Sequence, residues 1–178
     1  MTNSIIIAGF GGQGVLFAGK FLAYKGLLEG KEISWLPSYG PEMRGGTANC
    51  TVIVSDEPVG SPIVADPDIV AAMNLPSFDK YENAVKAGGY IFADSTLIAK
   101  KTDRADVKAF YVPATQMAKD MGIPTLANMI LMGKIIKETG IVSFDDMLDS
   151  LKKVVSAKKA DLVDINLKAL EAGYNYCD

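Results

Sequence analysis

Ser4-Ile5-Ile6-Ile7-Ala8-Gly9-Phe10-Gly11-Gly12-Gln13-Gly14 is the stretch that decides the fold. Its first half is a run of β-branched and small apolar residues, the pattern of a strand buried on both faces. Its second half is a glycine turn. From Val15 to Glu29 the apolar residues Leu16, Phe17, Phe21, Leu22, Leu27 and Leu28 recur at helical spacing, and Gly30 stops the helix. Glu32–Leu36 reads as a second strand, so the first 36 residues form a βαβ unit with an expected right-handed crossover.

Further along, Pro37–Gly46 reads as a loop, and Asn49–Ser55 alternates Cys50, Val52 and Val54 against Thr51 and Ile53 as a strand does. Asp68–Met73, Tyr90–Ala93 and Val107–Val112 are further short strands. A helix is expected from Ser77, as its cap, to Ala87, ended by Gly88-Gly89. The rest reads as helices over Thr115–Met121, Thr125–Glu138, Ser143–Val154 and Ala157–Leu170, with Ser143-x-x-Asp146 resembling a capping pattern. Strands alternating with helices predict an α/β fold: a Rossmann-like, doubly wound, mostly parallel sheet with a helical C-terminal part. No repeat or linker divides residues 1–178, so one domain is expected.

Composition narrows the chemistry. The chain has 178 residues, net charge −3 and no histidine, which removes the commonest general base and every histidine-based metal site. Lysines and arginines are scattered, so no basic footprint for nucleic acid is visible. No apolar run is long enough to span a bilayer, and Met1–Gly9 lacks the basic region and cleavage site of a leader, which together predict a cytoplasmic protein. Cys50 and Cys177 stand far apart without a CxxC pair. Four thiolates are the usual set for an iron–sulfur cluster, so two unpaired thiols are expected. Met117, Met121, Met129 and Met132 fit either core packing or a pliable partner surface, with core packing the commoner use of that spacing.

Gly9-x-Gly11-x-x-Gly14 matches the dinucleotide fingerprint in its proper place between strand and helix. Free N–H groups at the helix start favour an anion. The ribose-binding carboxylate that should end the second strand is missing, because Ser34-Trp35-Leu36-Pro37-Ser38 contains no acid. That weighs against a free-standing NAD(P)- or flavin-dependent oxidoreductase. It leaves open a glycine loop that only packs, one that meets an anionic cofactor group, and one that meets a partner chain. A second constellation, Ser38-Tyr39-Gly40-Pro41-Glu42-Met43-Arg44-Gly45-Gly46, leaves the carboxyl end of the second strand. Arg44 could hold a carboxylate or phosphate through two parallel hydrogen bonds, or pair internally with Glu42. Asn74 and Asp94-Ser95 also follow strands and could reach the same rim.

These motifs, with Gly60-Ser61-Pro62 after them, resemble the gamma subunit of 2-oxoacid:ferredoxin oxidoreductases along almost the whole chain. The Pro-Glu-Met-Arg-Gly-Gly form is most similar to subunits for branched-chain 2-oxoacids such as 2-oxoisovalerate, with 2-oxoglutarate and pyruvate types close by. The resemblance implies a complex that converts a 2-oxoacid to its acyl-CoA with thiamine diphosphate, Mg, iron–sulfur clusters and coenzyme A, reducing ferredoxin. Partner alpha and beta subunits, and a ferredoxin-like delta subunit in some complexes, would carry most of that chemistry. This chain alone is expected to bind none of those cofactors and no metal, and to be inactive by itself. The positions expected to face a cofactor are Gly9, Gly11, Gly12, Gln13, Gly14, Ser38, Tyr39, Arg44 and Asn74, with Glu42 and Arg44 as rim candidates. A scaffold that only holds larger subunits together is the remaining alternative.

Overall fold

The computed structural model describes residues 1–38 and 47–178. Six strands form one sheet in the order β2-β3-β1-β4-β5-β6: β1 (Thr2–Phe10), β2 (Glu32–Ser38), β3 (Thr47–Ser55), β4 (Ile69–Ala72), β5 (Tyr90–Asp94) and β6 (Lys108–Val112). β1, β4, β5 and β6 pair in parallel, whereas β3 lies antiparallel between β1 and β2. The sheet is therefore mostly parallel, as the alternation of elements implies. The first βαβ unit is split, however. β1 and β2 run the same way but do not touch, because β3 returns between them with Ile7 opposite Cys50 and Cys50 opposite Pro37.

Among the described residues six α-helices accompany the sheet: α1 (Val15–Leu28), α2 (Leu75–Tyr81), α3 (Ala114–Asp120), α4 (Ala127–Thr139), α5 (Met147–Val154) and α6 (Asp161–Tyr174). The alternation of each strand sorts the core into two. Ile5, Ile7, Cys50, Val52, Val54, Ile69, Ala71 and Phe92 pack with α1 and α3–α6 on one face, while Ile6, Ala8, Val70, Ala72 and Ile91 pack against Phe78 of α2 on the other. Met129 and Met132 are fully buried and Met117 is partly so, which is core packing; Met121 remains exposed.

α1 corrects the stripe read from its large residues. Phe21 and Leu22 are fully buried and Leu16 and Phe17 pack against the core as read, but Leu27 and Leu28 are half-exposed, and Gly19 and Gly26 make the close approach to the sheet. A Cβ on Gly19 would lie 2.4 Å from Cys50 Sγ, and one on Gly26 would lie 2.5 Å from Ile33 Cδ1. Bulk at either place would lift the helix off β2 and β3. Two caps also differ from expectation. Asn74, not Ser77, caps α2: its Oδ1 accepts from Ser77 N at 2.9 Å, Pro76 lies in the first turn, and the helix ends at Tyr81. Proline there sacrifices no hydrogen bond, since first-turn N–H groups have no helical partner. Ser143 caps nothing; its hydroxyl bonds Asp145, and α5 starts at Met147 after Asp146 in a left-handed conformation.

Candidate functional site

Five strands end at one edge of the sheet, which is where open α/β folds place their ligands. Ser38 pairs with Asn49, and Asn49 with Ala8, so the end of β2 and the glycine loop share this edge two strand spacings apart, about 10 Å. Tyr39, Glu42 and Arg44 lie outside the described residues, although the strands flanking them end and begin here. After β1 the chain turns toward β2, and after β3 it moves to β4 on the other side of β1. The switch point is thus the crevice between the ends of β1 and β4.

Gln13 crosses that crevice. Its Oε1 accepts from Phe10 N at 2.6 Å, and its Nε2 donates to the Met73 carbonyl at 3.0 Å. The side chain lies so close that a Cβ on Gly9 would sit 2.5 Å from Gln13 Oε1 and 3.0 Å from Met73 Cβ. Gly9 is therefore a packing glycine, and Gln13 a tie between diverging elements. Gly14 precedes α1 in a left-handed conformation (φ 72°), and its carbonyl accepts from Asn128 Nδ2 at 2.9 Å. A Cβ on Gly14 would meet that nitrogen at 2.4 Å. Gly11 and Gly12 are different. Both are exposed, and Gly12 has φ +92° with nothing within 4 Å of its would-be Cβ.

The head of α1 thus has open backbone beside it, no side-chain cap and no acid in its first turn. Unpaired N–H groups and the positive end of the helix dipole make that place suited to an anion. Small hollows flank the loop. One of about 250 Å3 is lined by Gly12, Gln13, Met73, Leu97, Thr115 and Thr125; another of about 350 Å3 begins at Gly14 and Phe17 and runs toward Asn166.

Other polar residues at this edge are tied internally. Asp94 is fully buried and its carboxylate accepts from Thr115 Oγ1 and Thr115 N and, at 3.1 Å, from Thr96 N, which fastens β5 to the start of α3. Asn74 is buried too, but its Nδ2 has no partner, a cost of about 1–3 kcal/mol for a buried donor. Asn74 is therefore half committed: its oxygen caps α2 and its amide is buried without a partner at the end of β4. Asn128 escaped sequence reading because it is 114 residues from Gly14 and sits in a helix, where nothing in the local pattern marks it.

The buried thiol fits no catalytic role. Burial pushes the Cys50 thiol up to about 12, against weaker opposing contacts from Trp35 and Gly19, and Cys177 lies exposed near the chain end. A thiol held neutral is a poor nucleophile and a poor metal ligand. Among the described residues no group of three or more Cys, Asp or Glu is placed to hold a metal, and no helix is long and apolar enough to cross a membrane.

Comparison with known proteins agrees with this architecture. Ketoisovalerate oxidoreductase subunit VorA of Methanothermobacter marburgensis is 42% identical over 172 residues, covering 96% of this chain and 35% of the relative. The chain spans about a third of the length of that relative. 2-Oxoglutarate synthase subunit KorC of Methanocaldococcus jannaschii is 36% identical over 181 residues, covering 98% of this chain and 93% of KorC. The crystal structure of the keto/oxoacid ferredoxin oxidoreductase gamma subunit from Geobacter sulfurreducens superposes with a TM-score of 0.81 at 30% identity, covering 97% of this chain and 96% of that one. The model of the pyruvate ferredoxin/flavodoxin oxidoreductase family matches residues 4–176. This chain, from its first strand to its last helix, belongs to that family.

Proposed function

We propose that the chain is the gamma-type subunit of a hetero-oligomeric 2-oxoacid:ferredoxin oxidoreductase and performs no chemistry alone. The observation that carries this is the match to KorC along nearly the full length of both chains. The assembly would decarboxylate a 2-oxoacid, pass the acyl group to coenzyme A and deliver the electrons to ferredoxin. 2-Oxoisovalerate and 2-oxoglutarate are the favoured substrates, because relatives named for each are 42% and 36% identical to this chain. Alpha and beta subunits, with a ferredoxin-like delta subunit in some assemblies, would supply thiamine diphosphate, Mg and the iron–sulfur clusters. Two widely separated cysteines, one of them buried, do not fit a four-thiolate cluster on this chain.

The part assigned to this chain is electrostatic. The open backbone at Gly11–Gly12 and the uncapped head of α1 fit an anionic group, and coenzyme A carries phosphates of that kind. Coenzyme A, when bound, supplies the thiol that takes the acyl group. Arg44, in the stretch of sequence that joins β2 to β3, would clamp a phosphate or the substrate carboxylate, with Glu42 orienting it and Ser38 and Tyr39 contributing to the same ligand. The unpaired amide of Asn74 would donate to the same ligand. A scaffold role is the second reading, favoured by Gln13 and Asp94, whose polar atoms bind other parts of this chain.

The experiment is an anaerobic native pull-down of the tagged chain from its own cells. The eluate is assayed for CoA-dependent reduction of a viologen dye with 2-oxoisovalerate, 2-oxoglutarate and pyruvate. Cluster-bearing partners with activity on one of them support the subunit reading and name the substrate; a colourless chain without partners refutes it. Arg44→Ala in the assembled complex separates the two readings. A changed KM for CoA or 2-oxoacid supports the anion site, while altered assembly with unchanged kinetics supports the scaffold.

A further inference from the structure

The corner from α5 to α6 carries a charge that the proposed reaction does not use. Lys152, Lys153, Lys158 and Lys159 fall within eight residues of sequence, and all four are exposed. None of them joins an ion pair among the described residues. The chain has 18 lysines and arginines against 21 acids, so without these four the balance is 14 against 21. A positive corner therefore stands on an otherwise acidic molecule.

Part of that charge has a local account and part has none. Lys152 and Lys153 close the last turn of α5, where the helix dipole favours cations. Lys158 and Lys159 lie in the short 3-10 turn Ala157–Lys159 that runs into the head of α6, the end at which the dipole disfavours them. Asp161 and Asp164 occupy the first turn of α6, yet neither pairs with a lysine. The heads of α1 and α4 add to the same field, since both lack a side-chain cap and an acid in the first turn. Residues from both heads line the hollow of about 350 Å3 that Lys159 also lines.

The lysines also have something to surround. Val154 and Val155 lie between the two pairs, and with Phe17, Leu126 and Leu162 they line that hollow while only partly buried. An apolar centre inside a charged rim is the anatomy of a protein–protein interface. Rim charges of one sign select and steer a partner of the other sign.

We infer that the α5–α6 corner is the surface on which this chain docks against an acidic face of a partner subunit in its oxidoreductase, with Val154 and Val155 at the dry centre and the four lysines meeting carboxylates around it. The assignment rests on the subunit reading and adds to it the place of contact. Four cations repel a basic partner, and equally a second copy of this chain laid corner to corner, which leaves a different, acidic chain. The contact also sets that partner beside Gly14 and Phe17, at the glycine loop.

The test is the native pull-down repeated with charge variants of the tagged chain. Lys152→Glu/Lys153→Glu/Lys158→Glu/Lys159→Glu reverses the rim, and arginine at the same four positions keeps it. Reversal should cut recovery of the cluster-bearing, 2-oxoacid-active partners at least about tenfold, whereas the arginine variant should stay within about twofold of the native chain. Recovery by the native chain should also fall as added salt screens the rim. All four positions are exposed, so the urea midpoint of each variant should match the native chain; Lys158→Glu/Lys159→Glu alone, expected to lose at least about threefold, keeps the question decidable if full reversal unfolds the chain. Undiminished recovery on reversal, or an equal loss with arginine, would overturn the assignment. Normal assembly with a raised KM for ferredoxin or CoA would overturn it too, by giving the corner to the electron carrier or the coenzyme. A native chain that recovers no partner refutes the subunit reading and this assignment together, while a failure confined to the variants leaves that reading standing.

Discussion

Gly12 and Gly14 both have positive φ and lie two residues apart, yet alanine should affect them very differently. At Gly12 the new methyl enters open space, so the cost is the left-handed backbone alone, about 1–2 kcal/mol. At Gly14 the methyl would lie 2.4 Å from Asn128 Nδ2 and drive that amide off the Gly14 carbonyl. Stranding the buried amide adds about 1–3 kcal/mol, for a total of about 2–5 kcal/mol. Against a typical stability of about 5–15 kcal/mol, Gly14→Ala is severe and Gly12→Ala tolerable. Urea titration of both variants, read at the midpoint with an unchanged slope, measures the difference. Asn128→Ala supplies the decisive check. With the obstacle gone, Gly14→Ala should cost about 1–2 kcal/mol again, leaving a coupling of about 1–3 kcal/mol between the two positions. Equal costs at Gly12 and Gly14, or simple additivity with Asn128→Ala, would refute this account of the loop. Because Gly12→Ala preserves the fold, it is also the clean probe of the open backbone, and in an assembled complex it should raise the KM for CoA.

Three further outcomes follow from the packing and the charges. At the crossing of α4 and α6, a Cβ on Gly173 would fall 1.7 Å from the Ile130 carbonyl oxygen, so Gly173→Ala should lose about 3 kcal/mol or more in urea unfolding, the upper end for overpacking, because backbone cannot turn aside. In the native chain a disulfide reagent at pH 8 should titrate Cys177 quickly and leave Cys50 unreacted until denaturant is added, since burial holds the Cys50 thiol near 12; two fast thiols would contradict that burial. Asp68 is held below the usual carboxylate range: burial works to raise it, but the Ser4 N–H and hydroxyl, both at 2.8 Å, and Lys86 outweigh burial. A depressed folded-state value means that its stabilisation is complete above about pH 4 and is lost as pH falls further; Asp68→Asn should flatten that part of the stability–pH curve, and an unchanged acid limb would show the contact to be inert.

Much of the architecture was legible in one dimension because it depends on periodicity and on backbone permission. Ile5–Ala8 could hardly be other than a central strand, Gly30 marks a real stop at φ +74°, and the Cys50, Val52 and Val54 alternation belongs to a strand as read, whereas Gly88 stops no helix, since α2 ends at Tyr81. The glycine loop also announced its place between strand and helix. What the residues there do was not legible. Gln13 looks like one more polar loop residue until β4 is placed beside β1, and only then does its carboxamide have Phe10 N and the Met73 carbonyl to join. Ser77 and Asn74 are both good capping residues, and the choice fell to Asn74 because the chain leaves β4 extended at that residue and turns helical at the next. The interposed β3 was invisible for a related reason: a hydrophobic run states that a strand is buried, but its partner is set by which neighbour satisfies its backbone edge. The sequence by itself determined element type, the sheet's mainly parallel character and the lack of histidine chemistry, since those follow from local sterics and composition. Tertiary structure alone decided which glycines pack and which stay open, and which asparagines hold the loop. Those properties belong to atoms from Gly14 and Asn128, or Gln13 and Met73, that meet only after the chain has closed on itself.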